Sequence, residues 1–413
     1  ASWALQKLMG DSGIGDALRE TFSSYKRHLK LASIVLYMVI KRTNSMHHYE
    51  PFSKVTWLPW SRTMNDGQIT RLFQSVTYDE VIRFFNALNR NYCQKYGKDF
   101  YKRVFVALDS TSVSTYSNNL SLAEYGHNKD GDDIPQINYM LVCDEVTGLP
   151  IYAKVYKGNV VDVTTVKNLL AELKIMHSRV TSSNNKEDFV PTLIFVTDRG
   201  YDSEDNLQYY LIHHYSFVIR SMLRSKWVKD VLLENYDKLM EDNSLDTYTS
   251  QHMCSAQVEY KYDDFPVDKR NKSNKATANI SVHMYFDEKI RANSRAVIKA
   301  NTAVSRDEYN KLVDKLYAEN ETVTAKLLSE LKLEDATKQK FVNHYCVFDS
   351  KGYAKISADK IDEKLKFSGI MVLLSDAITD AKEAYFAYER RNTVESNFQI
   401  FKDHLNFDRI YSS

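Results

Sequence analysis

The chain has 413 residues, enough for two or three domains with an ample core. Its 26% charged and 43% hydrophobic content is that of an ordinary globular protein, and 12 Gly with 6 Pro argue against long flexible linkers. The net charge of +1 hides an asymmetry: residues 1–105 carry 16 Lys and Arg against 8 Asp and Glu, a net of +8, whereas residues 106–228 sum to −4 and 229–413 to −3.

Residues 1–103 read as a basic helical domain, a candidate for DNA binding or dimerisation. Thr77 and Glu80 form a capping box ahead of Val81, Phe84, Phe85 and Leu88 at helical spacing, a stripe continued by Tyr92 and Tyr96. Trp57, Pro59 and Trp60 mark a break between helical pieces. The longest apolar run, Leu31–Ile40, is interrupted by Ser33 and too short to span a bilayer, so no membrane role is expected. No signal-peptide pattern is visible, although the chain opens on Ala, so residues are expected to be missing ahead of it. The cysteines, Cys93, Cys143, Cys254 and Cys346, are far apart and form no Cys-x-x-Cys pair, which argues against a zinc ribbon and for free thiols in a reducing cytoplasm.

From residue 104 the pattern becomes α/β. Strands are expected at Val104–Leu108, Gln136–Cys143, Ile151–Tyr156, Leu193–Thr197 and Ser216–Ile219, the second and third joined by a turn within Val142–Pro150. Asp162 is expected to cap a helix through Val166, Leu169, Leu170 and Leu173, Ser182–Asp188 to form a loop, and Asp202 and Asp205 to cap the next helix. His127 and Lys129 read as loop residues, Asn159 after Gly158 as a turn device, and His213-His214 lack the spacing of a metal site. Two of the apolar runs end in Asp: Val104–Leu108 in Asp109, and Leu193–Thr197 in Asp198. In open α/β sheets, sites gather beyond the carboxyl ends of strands, although a single strand-end Asp also serves as a turn or cap.

Residues 224–365 interrupt this core as an inserted α+β domain. Ala256–Tyr262 and Ile280–Phe286 alternate like exposed strands, with a charged hairpin connection over Asp263–Ala276. Residues 288–332 read as helices, and Tyr345–Phe348 with Tyr353–Ile356 as a hairpin turning at Asp349–Gly352. Residues 366–413 return to the core with a strand at Gly369–Leu374 and one helix near Asp380–Asp403. On that helix Tyr388, Arg391, Glu395 and Lys402 fall within roughly 60° of one another at about 100° per residue. One face then offers cations for phosphate oxygens and a carboxylate for a divalent metal, a set suited to phosphodiester chemistry. Taken alone, it equally suits a solvated helix with an i, i+4 Arg–Glu pair.

Together, Asp109, Asp198 and the helix motif resemble the DDE transposases of bacterial insertion sequences, in the group with a Tyr-x2-Arg-x3-Glu-x6-Lys signature. Tyr388, Arg391, Glu395 and Lys402 match that spacing at every position; Asp198-Arg199-Gly200-Tyr201 and Leu108-Asp109-Ser110-Thr111-Ser112 match the two Asp motifs. Ala123–Lys129 and Ile151–Asn159 are similar too, so the resemblance covers roughly residues 104–220 and 366–411. It implies a ribonuclease H-like core, formed by residues 104–223 and 366–413, carrying the insertion domain. Family members usually continue beyond the Glu helix, so the chain is expected to be a fragment cut at both ends.

The resemblance implies metal-dependent cleavage at insertion-sequence ends followed by strand transfer into target DNA. The partners implied are double-stranded DNA, as terminal inverted repeats and target, and a second copy in a synaptic homodimer. The setting is the bacterial cytoplasm, at the nucleoid during action. Asp109, Asp198 and Glu395 are the implied catalytic, metal-holding residues; oxygen-only ligands favour two Mg²⁺ ions, with Mn²⁺ a possible substitute. Tyr388, Arg391 and Lys402 are the implied DNA contacts. The alternative is a catalytically inactive, transposase-derived DNA-binding protein; a phosphatase using a nucleophilic Asp is disfavoured because Thr111 stands where its second Asp belongs.

Overall fold

The computed structural model describes residues 1–100, 103–116, 120–126, 133–160, 192–264, 274–320, 322–407 and 409–410. The chain forms two compact units: residues 1–228, 257–282 and 373–413, and residues 229–256 and 283–372. It is a mixed α/β protein with a large mixed sheet and many helices.

The first unit opens on helices α1 (Ser2–Asp11), α2 (Ile14–Thr21), α3 (Arg27–Lys41), α4 (Tyr49–Val55), α5 (Asp66–Gln74) and α6 (Tyr78–Phe100). The expected capping box starts α6: the Thr77 amide donates to Glu80 Oε2 (3.0 Å) and the Glu80 amide to Thr77 Oγ1 (3.3 Å). Arg27 grips the same carboxylate through both terminal nitrogens, at 2.8 and 3.0 Å. Apolar burial then closes the layer, with Ile34, Leu36, Tyr37, Tyr49, Leu58 and Ile69 in one cluster.

Helix α6 packs on the sheet that follows: Asn89 Nδ2 donates to the Ile151 carbonyl (2.9 Å), and the Phe85 and Tyr152 rings meet edge-on at 5.5 Å. Strands β1 (Arg103–Thr115), β2 (Gln136–Asp144) and β3 (Pro150–Lys157) form an antiparallel meander. Strands β4 (Thr192–Thr197) and β5 (Ser216–Ser221) add on parallel, giving the order β3-β2-β1-β4-β5, with β11 (Ile370–Ser375) beside β5. The central strands are apolar runs because both their faces are covered: Val106, Ala107, Leu108, Ile194, Phe195, Val196, Phe217 and Val218 are fully buried.

Three details differ from expectation here. Strand β1 does not stop at Leu108 but continues through Asp109 to Thr115, paired with β2 as far as Ser114–Gln136. Its second half is polar yet buried, which small hydroxyl side chains tolerate when they are hydrogen-bonded. Asp202 does not cap α7 (Glu204–Ile212). Ser203 does, accepting from the Asn206 amide, while Asp202 accepts from the Met222 amide at 2.6 Å. The single helix expected over Asp380–Asp403 is two helices and a π turn: α14 (Ala381–Arg390), α15 (Asn392–Gln399) and Ile400–His404. The helix expected after Asp162, the loop Ser182–Asp188, most of the Asp263–Ala276 connection, His127 and Lys129 lie outside the described residues.

The second unit holds most of α8 (Lys226–Glu234), then α9 (Tyr236–Met240), the short strand β6 (Leu245–Asp246) and parts of β7 (Gln251–Asp264) and β8 (Asn274–Phe286). Every residue from Ile280 to Phe286 is buried, so this strand is not the exposed one its alternation implied. The long α10 (Glu288–Glu319) follows, then α11 (Ala325–Glu330) and α12 (Ala336–Tyr345). The expected hairpin is present as β9 (Cys346–Phe348) and β10 (Ala354–Ile356), ahead of α13 (Ala358–Leu365). Gly352 turns that hairpin at φ +84°, a conformation that favours glycine. Tyr309, Val313, Val342, Cys346 and Ala354 form its core.

Candidate active site

The register of two parallel strands brings Asp109 and Asp198 together. β1 and β4 pair through Leu108–Thr197; Asp109 is the next residue of β1, and Asp198 is the first residue beyond β4. Adjacent strands lie about 4.8 Å apart. Asp109 is therefore mid-strand along β1 but sits at the carboxyl end of the parallel pair, where β4 ends.

Helix α15 brings Glu395 over the same sheet. Val394 and Phe398 bury against Ala107, Leu141 and Cys143 of β1 and β2. Thr393 Oγ1 donates to the Glu145 carbonyl (3.2 Å), and Asn397 Nδ2 to the Gly148 carbonyl (3.0 Å). Beyond the helix, the Phe401 ring stacks between Tyr139 (5.1 Å) and Phe407 (4.4 Å). The apolar residues of α15 thus seat on the sheet while Glu395, half exposed, points away from that seat.

Arg391 links the carboxylates. Its Nη2 lies 2.7 Å from Glu395 Oε1 and its Nη1 3.8 Å from Asp109 Oδ2, on a side chain only 7% exposed. It also interacts electrostatically with Asp198. Burial opposes its charge, but Tyr388, Glu395 and Asp198 more than offset that and raise its pKa. Its Nε is buried with no hydrogen-bond partner among the described residues.

Tyr388 reaches the remaining carboxylate, its hydroxyl donating to Asp198 Oδ1 at 2.8 Å. Burial raises the Tyr388 pKa, and the Asp198 hydrogen bond and charge add to it. Asp198 shows the reverse balance. Burial disfavours its charge, yet the Tyr388 hydroxyl, the Arg199 amide, Arg391 and Arg220 together hold its pKa below the ordinary value.

Five of the six residues expected at the site therefore converge: Asp109, Asp198, Tyr388, Arg391 and Glu395. Lys402 lies in the π turn past α15. Sequence reading missed Arg220, near the end of β5, whose Nη1 lies 3.3 Å from the Tyr388 hydroxyl and 3.9 Å from Asp198 Oδ1. Its signal was present: it follows Phe217–Ile219 at the carboxyl end of a third parallel strand. Sequence reading also missed Glu145, a buried carboxylate under the α14–α15 junction.

A family model described as "Transposase DDE domain" matches residues 100–413. The chain belongs to this transposase DDE domain family. None of the curated proteins matches the chain. Among solved structures, it is similar to a chain of the cryo-EM structure of piggyBac transposase synaptic complex with hairpin DNA, at 11% identity and a TM-score of 0.37. That likeness covers 98% of this chain and 60% of the other, and so loose an overlap decides nothing about the DDE domain described here.

Donor chemistry at the site of this DDE domain suits a hard divalent cation: three partly exposed carboxylates, with no thiol or imidazole among them. Among the described residues, no group of three His, Cys, Asp or Glu is already close enough to hold a metal. Arg391 supplies positive charge between Asp109 and Glu395 instead. No helix among the described residues is long and apolar enough to cross a membrane.

Proposed function

We propose that this protein is a transposase that cuts DNA at the ends of its mobile element and joins those ends to target DNA, using a ribonuclease H-like core. The reading is supported above all by one observation: Asp109, Asp198 and Glu395, separated by 89 and 197 residues, are gathered around Arg391 in a domain of the DDE family. Asp109, Asp198 and Glu395 would hold divalent ions, Mg²⁺ or Mn²⁺, which when bound activate the attacking oxygen and stabilise the leaving one. Tyr388 and Arg220 orient Asp198 and keep it ionised. Arg391 offsets carboxylate repulsion and lies where a scissile phosphate must approach. Lys402 lies farther along the same segment, as a phosphate contact on the flanking DNA. The basic residues of segment 1–105 supply affinity for the element's ends, and two copies of the chain bring paired ends together.

The test is cleavage of duplex DNA carrying the inverted repeats that flank the coding sequence, in Mg²⁺. Asp109→Asn is expected to lower cleavage by a factor of at least about 10³ while leaving end binding within about threefold. Cleavage by the variant near the parental rate overturns the site assignment. End binding without cleavage by the parent favours a DNA-binding protein that has lost its chemistry.

A further inference from the structure

Glu145 sits at the start of the β2–β3 turn with its side chain 0% exposed. Neither carboxylate oxygen has a hydrogen-bond partner among the described residues. The nearest cation, Arg390 Nε, stands 3.7 Å from Oε2, outside hydrogen-bond range. A buried carboxylate so poorly satisfied is costly, and a fold retains one where something else depends on it. The charged groups facing it are Arg390 and Arg391, from the α14–α15 junction, and Asp144, the last residue of β2. The Arg390 guanidinium also lies over the Phe105 ring, 5.6 Å from its centroid. The same turn grips α15 through the Glu145 and Gly148 carbonyls. Two consecutive arginines at the junction thus have separate partners, Arg390 at Glu145 and Arg391 at Asp109 and Glu395.

We infer that Glu145 is a positioning residue for the carboxylate site: its side chain draws Arg390 onto the β2–β3 turn and so fixes the junction from which Arg391 reaches Asp109 and Glu395. The inference rests on the transposase reading for its catalytic consequence, not for its structural one. Ionisation of Glu145 links it to pH. Burial pushes its pKa up to about 8, Arg390 pulls it back, Asp144 adds to the rise and Arg391 opposes it. The folded state therefore holds a proton that the unfolded chain has lost. Stability falls as pH rises from the ordinary carboxylate range through about 8, whereas the pull on Arg390 is complete only above about 8.

The experiment compares the parent chain with Glu145→Gln, Arg390→Ala and the double variant between pH 6 and 9. Cleavage of the inverted-repeat duplex by Glu145→Gln is expected to stay near parental at pH 6 and to fall on the order of tenfold below it at pH 9, because the parent's Glu145 is charged only there. Glu145→Asp is expected to restore part of that loss. A ratio independent of pH overturns the inference. Melting temperature provides a readout that needs no cleavage. The Gln variant is expected to gain on the parent as pH rises, and the size of that gain is expected to change when Arg390 is absent. No change on removing Arg390 overturns the coupling. A parent that fails to cleave overturns the transposase reading alone, and the melting data still decide Glu145.

Discussion

Arg391 carries more of the site than any other side chain. A guanidinium buried among three carboxylates contributes little net stability as a pair, but removing it leaves like charges facing each other. Arg391→Met is expected to lower metal-free stability by about 3 kcal/mol, measured by urea unfolding. Added Mg²⁺ is expected to restore more stability to this variant than to the parent, because an ion that binds only the folded site stabilises by mass action and meets no competing guanidinium. Equal effects of Mg²⁺ on both proteins would show that Arg391 and the ion do not share the carboxylates. Tyr388 acts differently. Its hydroxyl selects the ionised form of Asp198, which the surrounding cations already favour.

Among the elements, α6 owes its start to Glu80, which closes the capping box and receives Arg27. The Arg27 hydrogen bonds and the Thr77 amide hold the Glu80 pKa down to about 2, both partners being little exposed. A depressed carboxylate stabilises the fold above its unfolded pKa, and that contribution is lost as pH falls through the folded value. Glu80→Gln is therefore expected to cost about 1–2 kcal/mol at pH 7, and the gap to the parent to close between about pH 4.5 and 2. Urea midpoints across that range check it; a gap that persists at pH 2 points to packing rather than charge. Helix α15 depends on a different device. It is held by its apolar seat on β1 and β2 together with the β2–β3 turn, which explains how an eight-residue helix, marginal on its own, can present Glu395 at a fixed place.

For the molecule as a whole, charge is distributed unevenly along the chain. The +8 of residues 1–105 precedes two acidic stretches, and exposed cations there include Lys7, Arg62 and Arg71. Replacing these three by Gln is expected to weaken binding to duplex DNA and to reduce the dependence of log K on log salt by about 0.9 for each phosphate no longer neutralised. Titrations at two salt concentrations measure it, and an unchanged slope removes those residues from the interface. Neutralising the basic segment by substitution is a cleaner test than deleting it, since α6 packs directly on β3 and its loss exposes the Ile151 and Tyr152 region of the sheet.

Residue type and spacing determined the helical N-terminal segment, the five core strands and the β9–β10 hairpin, and together with the family resemblance they picked out five residues that the fold gathers at the site. Each rests on a local rule: 3.6- or 2-residue periodicity, a capping box, or an Asp that ends an apolar run. Tertiary structure decided what depends on neighbours. Whether β1 ends at Asp109 or runs to Thr115 was decided by β2, which continues to pair with it. Whether the Glu-bearing segment is one helix or two was decided by the α14–α15 junction, whose two arginines face different partners. Arg220 and Glu145 joined the site only through strand register and helix docking, because proximity between residues far apart in sequence leaves no local pattern to read.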